Sequence, residues 1–397
     1  MAVTIANASA TDDILSNDLV IQMDEEVGVE DVDNTQFTTM MMKLPSTTAK
    51  SFKQEWLEDV YLPKNTALSA SAASADTFLS VTTNEGAYLK IGDVVKIVQT
   101  GEAVRVTAAQ ASGFSCVRAI GSAVAATAAS GTVSGGLLIV SGSNEQGSTL
   151  PTSLVTTKTA NYNYCGILRN SWEYTGTAEW TEYHSGDQVA YQRKKIAVEH
   201  KREIEQTLWF GARSYTSGTT FPRGTTGGVD QFLSTNVTDI AGTFTKAQLQ
   251  TFLRGGLEYG DASRKVLFCA PIVAQAISGF LQDNWVRATP DDKVWGVQVS
   301  GVISGIGGQK IPVIVKNSWK RVGEGTGTHI GSRAYLIDMT KVQLFRAPAT
   351  RQGGRFCTLY SNQQTNDKDS LAENFLSEFT FEMKNEKAHA LLRGITG

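Results

Sequence analysis

NYNYCGILRNSWEYTGTAEWTEY (Asn161–Tyr183), followed after His184 and Ser185 by GDQVAYQRKKIAVEHKREIEQTLWFG (Gly186–Gly211), is the stretch whose reading decides the fold. The first part alternates apolar with polar residues, and its aromatic and β-branched content predicts an extended arm. The second part holds good helix formers throughout, opens on Asp187 as a helix N-cap and stops at Gly211. At about 1.5 Å per residue such a helix is roughly 36 Å long. Its apolar stripe is thin: Ala190, Ile196, Ala197, Ile204 and Leu208, with Trp209 and Phe210 at the far end. A long charged helix of this kind needs other surfaces along its length or ion pairs four residues apart. Lys195–Glu199 and Lys201–Glu205 have that spacing, and His200 reads as a surface or interface histidine.

Outward from this junction the chain is long enough for two to three domains and a sizeable core. Charge is unevenly spread. No Lys or Arg precedes Lys43, whereas Asp12, Asp13, Asp18, Asp24, Glu25, Glu26, Glu30, Asp31 and Asp33 do. With a net charge of −3, removing those acids leaves the rest of the chain at about +6. The acidic segment reads either as a solvated tail or as an arm that docks on another subunit. It is unsuited to direct nucleic-acid contact, which wants Lys and Arg. Cys116, Cys165, Cys269 and Cys357 are widely separated, with no CxxC and no Cys/His pair at metal spacing, which predicts scattered buried thiols in a reducing compartment. The N-terminus has no signal-peptide pattern, and the charge-poor run Ala119–Asn144 is too rich in Ala, Gly, Ser and Thr to read as a membrane span. A soluble chain of intracellular origin is expected.

SFKQEWLEDVYLP (Ser51–Pro63) packs Phe52, Trp56, Leu57, Val60 and Tyr61 at helical or strand spacing. From about Asn65 to Gly147, TFLSVTT, YLKIGDVVKIV, EAVRVTAA, FSCVRAI and GGLLIVSG are short alternating runs between turn residues. They predict a small antiparallel β-barrel or sandwich inserted between two legs of one arm. After the long helix, Thr245 starts another helix, KVLFCAP (Lys265–Pro271) reads as a buried strand, and IVAQAISGFLQ is an amphipathic helix behind it. IPVIVKNS and AYLIDMTKVQLF supply further strands. Phe375, Ser377, Phe379 and Phe381 alternate along what reads as a long strand before a turn at Lys384-Asn385-Glu386.

Chemistry-bearing motifs are missing. His184, His200, His329 and His389 fall in no metal-ligand spacing, and His389 reads as a satisfied structural histidine. There is no GxSxG, no Cys/His signature and no Walker A. GVISGIGGQK (Gly301–Lys310) lacks the GK[ST] ending and is followed by a strand where a phosphate cradle needs a helix N-terminus, so it reads as a hairpin turn. GEGTGTHIG (Gly323–Gly331) is a flexible loop, and Asp291-Asp292 sits in a turn after Pro290. No catalytic, cofactor-binding or metal-binding residue is assigned, and no cofactor is expected. The basic residues Arg193, Lys194, Lys195, Lys201 and Arg202 interleave with Glu199, Glu203 and Glu205, a mixture that suits ion pairing better than a nucleic-acid face.

The order of parts resembles a tailed-bacteriophage major capsid protein of the Hong Kong 97-type fold, in the subfamily with an extra β-domain in the extended-loop region. The residues that carry the likeness are SFKQEWLEDVYLP, NEQGS (Asn144–Ser148), NYNYCGIL, RKKIAVEHKREIEQTLWFG and KNEKAHALLRGI. The resemblance implies an α+β fold with an acidic N-arm (1–45), extended-loop legs (46–64 and 148–183) and an inserted β-domain (65–147). A spine helix (184–212), a peripheral domain (213–244 and 339–397) and an axial domain (245–338) complete it. It implies a non-enzymatic subunit forming hexamers and pentamers of an icosahedral or prolate shell around double-stranded DNA, without sequence-specific binding and without a membrane. Such a subunit is assembled in the host bacterial cytoplasm and located in the virion capsid. The N-terminus lacks a long removable scaffold-like segment, which implies a separate scaffolding protein or none; portal and decoration proteins are further partners. No crosslinking Lys–Asn pair is identified.

A shell subunit buries the same patches on its neighbours around every symmetry axis. The candidate intersubunit interface is therefore Arg193, Lys194, Lys195, Glu199, Lys201, Arg202, Glu203 and Glu205 on the helix, with Tyr162, Tyr164, Trp172 and Trp180 as aromatic anchors on the arm. Tyr174 and Tyr183 share that arm. Two other readings compete: an encapsulin-like nanocompartment shell of the same fold carrying cargo enzymes, and an intracellular hydrolase with an appended β-domain.

Overall fold

The computed structural model describes residues 35–121, 124–128, 131–151, 153–183, 186–218, 220–280, 285–286, 293–294, 297–298, 301–304, 310–324 and 329–396. The nine early acids, His184, Asp291-Asp292 and the centres of both glycine loops (305–309 and 325–328) lie outside the described residues.

Local signals set the elements. Asp187 accepts from Val189 N at 2.8 Å and Ala190 N at 3.2 Å, and Gly211 N donates to Thr207 O at 2.9 Å. Between these caps the chain is helical over Gln188–Phe210. Because the preceding helices are Gln36–Lys43 (α1) and Gly176–Trp180 (α2), this long helix is α3. Val229–Phe232 (α4) follows, then Lys246–Leu257 (α5), opened by a reciprocal Thr245/Gln248 capping box. Pro271 opens Pro271–Phe280 (α6), where its missing N–H costs nothing.

The chain divides into two compact units: Leu57–Ala160, and the remainder, Met1–Trp56 with Asn161–Gly397. The smaller unit extends beyond the 65–147 boundaries on both sides. It is a six-stranded antiparallel sheet in the order Asn65–Leu68, Gly131–Gly142, Asp93–Ile97, Ala103–Gln110, Gly113–Val117, Phe78–Ser80. A bridge between Leu68 and Val81, with Ser69 N to Ser80 O and Thr82 N to Ala67 O both at 3.0 Å, brings the two ends of that order together into a barrel. Its interior follows the period of two: Val95 and Ile97 point in, Lys96 out; Val104 and Val106 in, Arg105 out. One charged pair is buried there. Glu102 accepts from Arg118 Nε and Nη2, each at 2.7 Å, and from Ala119 N and Ala126 N.

The larger unit holds two main sheets. A five-stranded sheet runs Thr47–Thr48, Val342–Arg346, Ser370–Met383, Gly166–Thr175, with Thr358–Tyr360 also on the long strand. Its register pairs Gly166 with Phe379 through to Thr175 with Ser370. A seven-stranded mixed sheet runs Val237–Gly242, Ala390–Ile395, Ala334–Asp338, Lys265–Cys269, Lys310–Val315, Gly301–Ser304, Trp285–Val286. It therefore includes segments before 245 and after 339 that the sequence reading grouped with the peripheral domain. Gly301–Ser304 and Lys310–Val315 pair antiparallel, as a hairpin requires. AYLIDMTKVQLF is two strands in different sheets, turned by Asp338, whose Oδ1 accepts from Thr340 N at 2.9 Å. Against the seven-stranded sheet, α5 approaches so closely that a Cβ on Gly256 would lie 2.6 Å from Leu336 Cδ2. SFKQEWLEDVYLP forms a strand, Lys53–Glu58, paired with Thr159–Tyr164.

The large core centres on Trp209, whose ring lies 4.5 Å from Phe37, 5.0 Å from Phe268, 5.2 Å from Trp319 and 5.0 Å from Tyr335. Phe37 comes from α1, within the segment 1–45 expected as an acidic N-arm. Its Phe37, Met40 and Met41 are completely buried, which makes this short helix part of the body.

Candidate intersubunit interface

The helix α3 lies on the five-stranded sheet, and polar anchors fix it there. Arg193 forks onto Glu373 of the long strand, with Nε to Oε2 at 3.0 Å and Nη2 to Oε1 at 2.8 Å; the carboxylate is buried while the guanidinium is partly exposed. Two turns on, His200 is 2 % exposed within its own chain, which corrects the expectation of a surface or interface histidine. Its Nδ1 meets Asn170 Oδ1 and its Nε2 lies 2.7 Å from Ser377 Oγ, so the ring bridges two paired strands. With a carbonyl oxygen at Nδ1, the neutral ring donates there and accepts from Ser377 at Nε2. Burial lowers the His200 pKa below its ordinary value, with Glu203 opposing weakly.

One turn further, Glu205 is buried and serves the chain's own interior. It accepts from Phe37 N at 3.1 Å, Thr38 N at 2.5 Å, Thr38 Oγ1 at 2.6 Å and Trp209 Nε1 at 3.1 Å, and it pairs with the buried Lys316. Thr35 makes no side-chain cap, so this carboxylate from α3 caps α1 across 167 residues of sequence. Glu205 is thereby removed from the candidate interface, and the Lys201–Glu205 pair read from spacing does not form. The turned-in carboxylate gains backbone donors and an ammonium that an exposed Lys201 cannot match.

What stays outward is narrower than the expected set. Lys194, Lys195, Glu199 and Lys201 are exposed, while Arg193, Arg202 and Glu203 are half-buried. On the arm, Tyr162 is half-buried under Arg213, 4.1 Å above its ring, with Lys53 at 4.4 Å. Tyr164, Phe52 and Tyr215 form a three-ring cluster, with Tyr164 6.0 Å from Phe52 and 5.2 Å from Tyr215, and the latter two 5.0 Å apart. Trp172 is half-buried against Phe375 at 5.8 Å. Trp180, 76 % exposed, is the candidate aromatic that stands clear of its own subunit. The structure thus brings Arg193, His200, Trp172 and the long strand into one layer, and leaves Tyr162 and Tyr164 in a separate aromatic stack.

Sequence reasoning missed several features of this region. Asn163 is completely buried and donates to Gly227 O at 3.0 Å and Phe381 O at 2.7 Å while accepting from Gly227 N, pinning the arm to the body. Nothing local marks it, since both partners are far along the chain. Of the apolar residues expected to pack in SFKQEWLEDVYLP, Trp56 alone is buried while Phe52, Leu57, Val60 and Tyr61 (99 % exposed) are not; Leu150 (96 %) and Phe221 (86 %) are uncovered apolar side chains in turn-rich segments, where periodicity carries no signal. His389 is buried, as expected, accepting from Asp338 N at Nδ1 and facing Lys384 O at Nε2. Burial pushes its pKa down to about 4. Among the described residues no group of three or more His, Cys, Asp or Glu converges as metal ligands, and no helix is long and apolar enough to cross a membrane.

The family described as SU10 major capsid protein matches residues 4–396. The major capsid protein of Pseudomonas phage PaMx41 is 26% identical over 236 residues, which is 56% of this chain and 55% of that protein. The chain thus spans about half the length of the curated relative it matches. Among solved structures, the capsid asymmetric unit of cyanophage A-1(L) is 10% identical, with a TM-score of 0.53 over 96% of this chain and 98% of that one. A structure from Mycobacterium phage Ogopogo is 12% identical, with a TM-score of 0.48 over 95% and 97%. An end-to-end family match and a shared backbone agree with the arm, long helix and two-sheet body: this chain belongs to the SU10 major capsid protein family and has the Hong Kong 97-type capsid fold.

Proposed function

We propose that copies of this chain assemble, as hexamers and pentamers, into the closed shell that encloses the double-stranded DNA of a tailed phage. The observation that supports this best is uncovered apolar surface on a member of a capsid family. Trp180, Phe221, Tyr61 and Leu150 stand in water, and Lys194, Lys195, Glu199 and Lys201 of α3 face outward. In this reading α3 is the spine helix. The five-stranded sheet is the core of the peripheral domain, and the seven-stranded sheet with α5 and α6 is the axial domain, so the axial domain takes in Val237–Gly242 and Ala390–Ile395. The strand pair at 53–58 and 159–164 forms the base of the extended loop, and the barrel is an inserted β-domain. The subunit performs no catalysis and needs no cofactor. DNA lies inside the shell without sequence-specific contact, assembly takes place in the host cytoplasm, and scaffolding, portal and decoration proteins are its partners.

Electron microscopy of the purified protein, alone and with the scaffolding protein of its phage, tests this. Closed shells of uniform diameter are expected. A stable monomer that forms no shell under either condition overturns the reading. The competing nanocompartment reading predicts shells that enclose an enzyme and no DNA.

A further inference from the structure

The sheet edges of this chain are not alike. The seven-stranded sheet ends on one side at Val237–Gly242, whose register shifts between Asp239 and Gly242, and on the other at the two residues Trp285–Val286. The five-stranded sheet ends on one side at Thr47–Thr48, a two-residue strand just after Pro45, and on the other at Gly166–Thr175. Short strands, prolines and bulges protect an edge against pairing with another chain. Gly166–Thr175 has none of them: it is ten residues long, holds no proline and keeps an unbroken register with Ser370–Met383.

That register also tells which of its backbone groups are free. On the long strand, Glu378 N donates to Arg355 O and Glu378 O accepts from Ala347 N, both on the side away from Gly166–Thr175. Bonding direction alternates along an antiparallel strand, so Phe379, Ser377, Phe375, Glu373 and Leu371 bond toward Gly166–Thr175. Their partners are Gly166, Leu168, Asn170, Trp172 and Tyr174. Ile167, Arg169, Ser171, Glu173 and Thr175 therefore direct N–H and C=O to the outer edge, and all five side chains are exposed. The same alternation turns Cys165 N outward, where it donates to Phe52 O at 2.7 Å. Beyond Gly166, nothing among the described residues bonds to that edge.

From this open edge and the order of charges along it, we infer that Gly166–Thr175 pairs antiparallel with the same strand of a second copy. The two-fold axis runs through Ser171. Arg169 of each copy then lies opposite the partner's Glu173, and Ile167 opposite the partner's Thr175. Only outward-bonding residues face each other, so each facing pair exchanges two backbone bonds. Moving the axis by one residue, to Asn170 or Trp172, puts Arg169 opposite Ser171 or Thr175 and leaves it without an acid. Arg169 has no hydrogen bond or ion pair among the described residues. Glu173 accepts from Lys368 Nζ at 2.7 Å and from Ser370 Oγ, and its carboxylate has acceptor sites left for a guanidinium. Opposite charges on facing strands stabilise a pair, and like charges destabilise it. The pairing rests on the shell reading only for its location: a two-fold contact cannot close a ring of five or six, so it falls between neighbouring capsomers.

Disulfide trapping in the full-length protein, in solution and as assembled shells, tests the pairing. Facing residues of a hydrogen-bonded pair lie about 5.5 Å apart at Cα, within disulfide reach. Ser171→Cys should give disulfide-linked dimers on mild oxidation, whereas Ile167→Cys should not, because two copies of residue 167 never face each other. The native thiols, three of the four buried, set the background. In the Ser171→Cys chain, Arg169→Glu or Glu173→Arg should each slow crosslinking about fivefold, and the two together should restore it. A general loss of structure would not be rescued by the second substitution. Equal crosslinking at both cysteines, or no recovery in the double charge swap, overturns the pairing. Absence of the Ser171→Cys crosslink in closed shells also overturns it while leaving shell assembly standing. Crosslinked dimers from a chain that forms no shell do the reverse.

Discussion

The barrel and the body solve the problem of a protein interior differently. In Leu57–Ala160 the core is a row of alternating aliphatic residues such as Leu79, Val95, Ile97, Val104, Val106 and Leu137, with Phe114 and the buried Glu102–Arg118 pair. In the body, aromatic rings converge on Trp209, and polar groups are buried among them: Glu205 with Lys316, His200, His389 and Lys265. The first kind of core depends on side-chain period, and small volume changes degrade it gradually. The second depends on particular partners, and removing one leaves another stranded out of water. Lys265 shows how fully such groups must be satisfied: its ammonium donates to Gly256 O, Tyr259 O and Ala388 O.

The contrast is broken most directly at Glu205. Glu205→Ala should strand the Lys316 ammonium and leave α1 uncapped, costing the body about 3–5 kcal/mol. Hydrogen exchange resolved by peptide should show the loss in α1, α3 and the seven-stranded sheet while the barrel amides keep their protection. Equal loosening of the barrel would mean that the two cores are one cooperative unit.

Acid should separate the units next. His389 is neutral in the folded state, accepting Asp338 N–H at Nδ1, and protonation would turn donor against donor there. Its folded pKa of about 4 lies below the unfolded value near 6.5, so the unfolded chain binds the proton first. That contribution to stability is present above about pH 6.5 and is lost as pH falls toward 4. It is worth on the order of 3 kcal/mol. His200, also depressed, acts in the same direction. The barrel contains no histidine. Glu102 is lowered, although burial, its largest influence, pushes upward; Arg118 and two backbone amides outweigh it. Its stabilisation is therefore present above about pH 4.5 and is lost only below that. Between pH 6.5 and 5 denaturant titrations should thus weaken the body alone, and His389→Gln should flatten that slope.

The smallest effect sharpens the other side. Ile97→Val should cost the barrel about 1 kcal/mol, as loss of one buried methyl group does. It should leave exchange in the body unchanged, as read by the same peptides. A loss several times larger would show that the barrel core is as partner-specific as the body's.

The same division explains what could be read in advance. The strands of the barrel, the Asp187 and Gly211 ends of α3, the Thr245 start of α5 and the buried strand at Lys265–Cys269 are legible because each rests on neighbours within a few residues. α1 was missed: eight residues with a buried face read as weak pattern, and its cap comes from Glu205 on another element. In the candidate interface, spacing alone made Glu205 and Lys201 a surface pair and His200 a surface residue. Spacing says where a side chain emerges along a helix, not which strand lies beneath it.

By itself, then, the sequence determined the element order, the inserted barrel, the long capped helix and the absence of any recognised catalytic motif, since periodicity, capping and turn chemistry act over one or two turns. Only the tertiary structure decided which charges of α3 face outward. Glu205, His200 and Arg193 found partners more than 160, 170 and 175 residues away in sequence, at Phe37, Ser377 and Glu373. A buried carboxylate or imidazole is tolerated only where such partners converge, and that convergence exists only once the chain has folded.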